Sequence, residues 1–243
     1  MAGSILGNRV LRKEDPKFLT TGGVYVDDLL DEPALLGALH VTYVRSTVAH
    51  GNITAIDTSD AASMPGIVAV ITGKDLGLEF VPSAYNPAAT RTLLATDKVR
   101  FVGEPIVAIV SNTREEGEDA IDAVIIDYDV LPALIDLEEA MASSTLLYEA
   151  CGSNVVFDSM VLGLPDNTGD AYFADCEVVV KGRYLNQRVA PCPLEVRGAA
   201  AAWGTDGRLT QWLSTQHAQG AVAPLAAANG VDPSMVHVKT PDV

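Results

Sequence analysis

The alternation of apolar and polar positions divides the chain into short elements of mixed type. Leu35 to Arg45 alternates with period two and places Leu39, Val41 and Tyr43 on one face of a strand. A turn at His50-Gly51-Asn52 leads into a short strand, Ile53 to Ile56. Thr58 or Ser59 can then cap a short helix that runs to Met64 and is closed by Pro65-Gly66. Ile67 to Thr72 is an unbroken apolar run of strand length, the pattern of a strand buried on both faces. Gly73-Lys74-Asp75 turns the chain into an irregular excursion, Leu76 to Thr92, after which Val99 to Ser111 reads as a strand around Gly103-Glu104-Pro105. Thr113 and Glu116 have the spacing of a capping box, so a helix is expected there with Ala120, Ile121 and Val124 turned inward. Ile125 to Tyr128 returns as a strand, and Asp136 to Met141 reads as a helical turn.

From Ser143 to Gly169 no period holds, and Pro165-Asp166-Asn167 marks a turn. Phe173 to Glu177 reads as a short helix that runs into a strand, Val178 to Arg188. The strongest local signal follows: Asp206-Gly207 between two strand-like runs predicts a hairpin that pairs the Glu195 segment with the Gln216 segment. A helix from about His217 to Asn229 and a strand from Met235 to Lys239 complete the pattern. Gln216 thus stands where a strand ends and a helix begins, beside the unpaired N–H groups of a first helical turn. Its amide can donate and accept at once. By itself, a glutamine in such a place is ordinary.

Composition narrows the class. With 243 residues, 48% hydrophobic and 20% charged, the chain can bury a core in one or two domains. A net charge of −16 and a pI near 4.4 argue against nucleic acid and against an anionic membrane surface. Cys151, Cys176 and Cys192 are widely spaced, with no CxxC or Cys/His grouping, so no zinc or iron–sulfur site is expected and no metal ligand is assigned. Reduced thiols fit a cytoplasmic protein. The first residues lack the pattern of a signal peptide, and no apolar stretch approaches the roughly 18 residues of a membrane span.

The carboxylate pairs Asp27-Asp28, Glu115-Glu116 and Glu138-Glu139 are adjacent in sequence and do not converge on one point. Arg45, His50 and Asp57 read as turn and loop residues. No nucleophile elbow, metalloprotease helix, phosphate loop or dinucleotide fingerprint is present. The residues by themselves define a soluble mixed α/β protein with no identifiable active site.

Several phrases, in order, change that picture. They are Arg12-Lys13-Glu14-Asp15-Pro16 with Leu19-Thr20-Thr21-Gly22 and Tyr25-Val26-Asp27-Asp28; Asp127 to Ala133; Leu194-Glu195; Trp212 to Gln216; and Val236 to Val243. Together they resemble the molybdopterin-binding large subunits of the xanthine dehydrogenase, aldehyde oxidase and carbon monoxide dehydrogenase family, from about Arg9 to Val243. The resemblance implies an α+β (mixed α/β) fold, with an a/b hammerhead domain followed by the first part of the molybdopterin-binding domain. Its expected bounds are an arm over 1–18, the hammerhead over 19–140 and the incomplete second domain over 141–243.

The family relation further implies oxidation of an aldehyde, an N-heterocycle or carbon monoxide with water as oxygen source. The cofactor would be a molybdenum–molybdopterin dinucleotide in its cytosine form, only partly bound by this chain. Electrons would pass to iron–sulfur (2Fe-2S) and flavin (FAD) subunits, and the remainder of the molybdopterin-binding subunit would be a further partner. Gln216 matches the glutamine that hydrogen-bonds the apical oxo ligand of molybdenum; Glu195 matches an acidic position, substrate-orienting or structural, upstream of it. Two departures stand out: Val196 follows Glu195 where a proline is common, and His217-Ala218-Gln219-Gly220 replaces an x-Pro-His continuation. The family's glycine-rich loop and catalytic glutamate match nothing up to Val243, so the isolated chain is expected to be inactive. A non-catalytic, stand-alone hammerhead module or truncated remnant is the alternative.

Overall fold

The computed structural model describes residues 6–7, 11–77, 86–157 and 170–242. Part of the Leu76–Thr92 excursion and the turn expected at Pro165-Asp166-Asn167 lie outside the described residues, as do Arg9 and Val243. Contacts divide the chain into two compact units: Ala38–Leu185, and Met1–Gly37 together with Asn186–Val243.

The N-terminal segment contributes a short helix, α1 (Asp15–Thr20), with Pro16 in its first turn. An N–H missing there is no loss to the helix. Two 3-10 turns follow, Val26–Asp28 and Pro33–Leu35.

In the Ala38–Leu185 unit come β1 (His40–Arg45), β2 (Gly51–Asp57), α2 (Ser59–Ser63), β3 (Ile67–Thr72), α3 (Gly73–Leu76), β4 (Lys98–Val99), β5 (Pro105–Ser111), α4 (Arg114–Asp119), β6 (Ile125–Val130) and α5 (Leu137–Ala142). They form two three-stranded sheets, ordered β1-β5-β3 and β4-β2-β6, with every pairing antiparallel. Val44, Ala61, Val99, Ile106, Val107, Ile109, Ala120 and Val124 make the core to which both sheets contribute. The capping box forms: Glu116 N–H donates to Thr113 Oγ1 at 3.3 Å, and Thr113 N–H donates to Glu116 Oε2 at 3.0 Å. Asp136 caps α5 through Oδ1, which accepts from the N–H groups of Glu138 and Glu139.

The structure refines or corrects several sequence expectations here. The expected strand forms over His40–Arg45 with Val41 and Tyr43 on one face, and that face is the outer one: they are 52% and 42% exposed, while Thr42 and Val44 are buried. Alternation fixes two faces without saying which is inner. Register decides, because Thr42 lies opposite Ile109 and Val44 opposite Val107. Gly117 of α4 sits so close to Thr42 and Ser111 that a Cβ would lie 2.6 Å and 2.7 Å from their hydroxyl oxygens.

Second, the apolar run at β3 is an edge strand with Val68 54% exposed, and β5 holds the centre of that sheet. Third, the strand expected from Val99 to Ser111 is two strands. Because β4 pairs with β2 in one sheet and β5 with β1 and β3 in the other, the chain must change sheets between them. It does so at Gly103, at φ 90°, whose carbonyl accepts from Arg45 Nη1 at 3.0 Å. His50 is a core side chain rather than a turn residue: it is 2% exposed and its Nδ1 donates to the Pro132 carbonyl at 2.9 Å.

The other unit is built on β7 (Ala199–Trp203), β8 (Leu209–Leu213), α6 (Ala218–Asn229) and β9 (Val236–Lys239), in sheet order β7-β8-β9. The expected hairpin forms, with Gly207 at φ 78° and Ala199 opposite Leu213. Its ladder stops there, short of Glu195 and Gln216. β8 and β9 are parallel and joined through α6, a β–α–β unit. α6 ends in a Schellman turn in which the N–H groups of Gly230 and Val231 reach the Ala227 and Ala226 carbonyls.

The N-terminal segment packs on this unit. Asp242 is its main clasp: the carboxylate pairs with Lys17 and accepts Val24 N–H at 2.8 Å, and Asp242 N–H donates to the Val24 carbonyl at 3.0 Å. The strand expected over Val178–Arg188 is absent, and that stretch is exposed and outside any sheet. Among the described residues no helix is long and apolar enough to cross a membrane.

Candidate functional site

In a parallel β–α–β unit, the carboxyl ends of the strands and the amino end of the helix face the same way, leaving a crevice where ligands are commonly bound. Here that end carries Thr215 and Gln216 after β8, Ala218 and Gln219 in the first turn of α6, and Thr240 and Pro241 after β9. These six residues line an open concavity of about 410 Å³. Parallel pairing is what unites them, because Trp212 lies opposite Lys239 and brings Gln216 and Thr240 to one edge.

Gln216 is exposed, and among the described residues its amide makes no hydrogen bond. The Thr240 hydroxyl is buried from solvent and also lacks a partner. Thr215 is committed locally: its Oγ1 accepts His217 N–H at 3.2 Å and shapes the entry to α6. The absence of a side chain at Gly220 is used at the same place, since a Cβ there would meet the His217 ring at 2.9 Å. Thus the unusual His217-Ala218-Gln219-Gly220 stretch still delivers a helix start directly behind Gln216.

Glu195 is placed elsewhere. It does not line the concavity; its Oε1 accepts Val26 N–H at 3.1 Å and ties down the N-terminal segment. That segment reaches the concavity indirectly. Asp242, held below the usual carboxylate range by its hydrogen bond to Lys17 and then by Val24 N–H, fixes the chain immediately after Thr240 and Pro241.

The lining side chains are neutral: two hydroxyls and two amides, with no carboxylate, thiol or imidazole. No group of three or more His, Cys, Asp or Glu suited to a metal exists among the described residues. Such a set offers a metal no thiolate, imidazole or carboxylate, and it suits hydrogen bonding to an oxygen-rich anionic group, reinforced by the N–H groups of the α6 amino end. Thr215 and Gln219 flank the glutamine singled out from sequence. Thr240 could be found only once β8 and β9 were known to be parallel.

Comparison with known proteins matches two family domains to the chain. Residues 20–132 match the aldehyde oxidase and xanthine dehydrogenase a/b hammerhead domain, and residues 148–243 match the molybdopterin cofactor-binding domain. The nicotine 6-hydroxylase large subunit of Paenarthrobacter nicotinovorans is 36% identical over 98% of this chain and 29% of its own length. The carbon monoxide dehydrogenase large chain of Hydrogenophaga pseudoflava is 31% identical over 97% of this chain and 30% of its own. Among solved structures, quinoline 2-oxidoreductase from Pseudomonas putida 86 superposes with a TM-score of 0.81 at 31% identity, over 98% of this chain and 30% of that one.

The chain belongs to the molybdopterin-binding large-subunit family of xanthine dehydrogenase, aldehyde oxidase and carbon monoxide dehydrogenase. It has the hammerhead fold followed by part of the molybdopterin-binding domain, and it spans about 30% of the length of these relatives.

Proposed function

We propose that this chain supplies the N-terminal part of a molybdenum hydroxylase large subunit, with the hammerhead over residues 19–140 and the beginning of the molybdopterin-binding domain over 141–243. The observation that carries the proposal is the convergence of Gln216 and the unpartnered Thr240 hydroxyl on one concavity at the carboxyl ends of parallel strands. When bound there, a molybdenum–molybdopterin dinucleotide, in its cytosine form, supplies two-electron oxidation with water as the source of oxygen. The chain's own residues position it. Gln216 donates an amide N–H to an oxygen acceptor of the group, the Thr240 hydroxyl donates a second, and the first turn of α6 adds backbone donors.

None of these residues ligates the metal. They orient and tune a group held mainly by other polypeptide, and Glu195 acts at one remove through the N-terminal segment. The substrate class is an aldehyde, an N-heterocycle or carbon monoxide. The electrons leave for 2Fe-2S and FAD groups on partner subunits of a cytoplasmic complex. A relative named 6-hydroxypseudooxynicotine dehydrogenase complex subunit gamma, 32% identical over 79% of this chain, supports a multisubunit setting. The alternative, a hammerhead module without catalysis, draws on the closed core of the Ala38–Leu185 unit.

Substitution Gln216→Ala in the assembled enzyme tests the reading. Turnover falls by at least about tenfold, the scale reported for outer partners of a metal site, while the thermal midpoint stays put. Unchanged turnover removes Gln216 from the site.

A further inference from the structure

The register of β8 and β9 ends at Trp212 opposite Lys239, so Thr240 and Pro241 lie past the last paired position of the sheet. Pro241 has no N–H with which to extend the ladder. Yet both residues line the concavity, and the buried Thr240 hydroxyl lacks a hydrogen-bond partner among the described residues. A group beyond the ladder keeps its place when other contacts fix the backbone on either side of it.

The N-terminal segment supplies those contacts. On one side, Lys239 lies 4.0 Å from Glu32, with its ammonium 4.9 Å from the centre of the Trp212 ring. On the other, the Asp242 carboxylate pairs with Lys17 and accepts Val24 N–H, while Asp242 N–H donates to the Val24 carbonyl. The Lys239 pair is long and partly exposed and adds little; the Asp242 set is charge-assisted and joins the two backbones as well. The segment is itself anchored at Val26. Its N–H donates to Glu195 Oε1, and Gly198 comes so close that an added Cβ would lie 3.0 Å from the Val26 Cβ.

We infer that Lys17 and Asp242 are positioning residues for the bound group: through them the N-terminal segment holds the Thr240 hydroxyl in place at the concavity. Neither side chain lines the concavity, so both act through Thr240, two residues before Asp242 with a stiff proline between. The inference rests on the proposed function, because it needs the molybdenum–molybdopterin group bound beside Thr240.

The test follows the rate at which molybdenum leaves the assembled enzyme in sub-denaturing urea, read by elemental mass spectrometry. Each variant is compared at a urea concentration where its tryptophan emission stays native. Asp242→Ala speeds the loss by at least about tenfold, the scale for outer partners of a metal site. Asp242→Asn, which can still accept Val24 N–H, and Lys17→Met speed it less, and Lys17→Arg keeps the original rate. The decisive comparison is made in a Thr240→Val background, where the hydroxyl is gone. There Asp242→Asn adds nothing to the rate, because no hydroxyl is left to hold. A clasp that serves stability alone gives effects that multiply, and that result overturns the inference. So does an unchanged rate in Asp242→Ala. Failure of the proposed function reads differently: the unsubstituted enzyme then carries no molybdenum, and both fall. Molybdenum that leaves faster in Gln216→Ala and Thr240→Val, but at the original rate in every Asp242 and Lys17 variant, overturns the positioning role alone.

Discussion

The Ala38–Leu185 unit and the unit made by Met1–Gly37 with Asn186–Val243 are closed to different degrees. All the largest fully buried side chains, Ile106, Ile109, His50, Val99, Val107 and Ser111, belong to the first. The second buries Leu209, Trp212, Ala226 and Val236 around a single three-stranded sheet, and Leu194 and Val196 beside it are 92% and 75% exposed. The first encloses an interior of fully buried side chains; the second buries fewer, and both leave large apolar side chains in water, Ile135 at 87% in the first as well as Leu194 in the second. The difference teaches where each burden falls. Stability is concentrated where the core is complete, and the concavity lies where the structure is open at one edge.

The largest effect that would sharpen this contrast comes from Ile109→Ala, which removes a fully buried side chain at the centre of the β1-β5-β3 sheet. A loss of about 2–5 kcal/mol is expected in the unit that contains it. Both tryptophans, Trp203 and Trp212, lie in the other unit, so their emission reports that one alone. The far-UV circular dichroism transition should move while the tryptophan transition stays. A common shift of both would show that the units unfold as one.

Thr113→Ala is the next in size. It breaks the capping box of α4 and should cost about 1 kcal/mol, read again by circular dichroism and not by tryptophan emission.

Asp242→Asn acts on the opposite side of the comparison. Loss of the Lys17 pairing should lower the denaturant midpoint seen by tryptophan and leave the Ala38–Leu185 transition unchanged. The same clasp gives a pH dependence. Because the folded Asp242 is held below its ordinary value, its contribution is complete above that value and is lost as pH falls through the lower, folded one. The tryptophan-reported midpoint should therefore fall on acidification below about pH 4, and by less in Asp242→Asn. An identical acid response in both proteins would remove Asp242 from the account.

The smallest effect is on stability at the site: Gln216→Ala should change the midpoint of the chain alone by less than about 0.5 kcal/mol, since the residue is exposed and unbonded.

Much of this was legible in the residues because it is local. The Asp206-Gly207 hairpin, the Thr113–Glu116 capping box, the α6 helix and the final strand each depend on neighbours within a few positions. What depends on distant partners was not. Alternation groups Leu39, Val41 and Tyr43 on one face, but that this face is the outer one follows only from the pairing of Thr42 with Ile109. The Ile67–Thr72 run looks central until β5 takes the middle of its sheet. Val178–Arg188 has the pattern of a strand but joins no sheet among the described residues. At the site, Gln216 was singled out by its resemblance to a family position, whereas Thr240 emerged only from the parallel register of β8 and β9.

The measurement that bears most directly on the central claim is the molybdenum content of this chain, by elemental mass spectrometry, after gentle purification from its native host with everything that accompanies it. Stoichiometric molybdenum, with larger polypeptides co-purifying, is the predicted result. A chain recovered intact with its partners and free of molybdenum would contradict the claim, and Gln216 would then be an ordinary glutamine at the end of a strand.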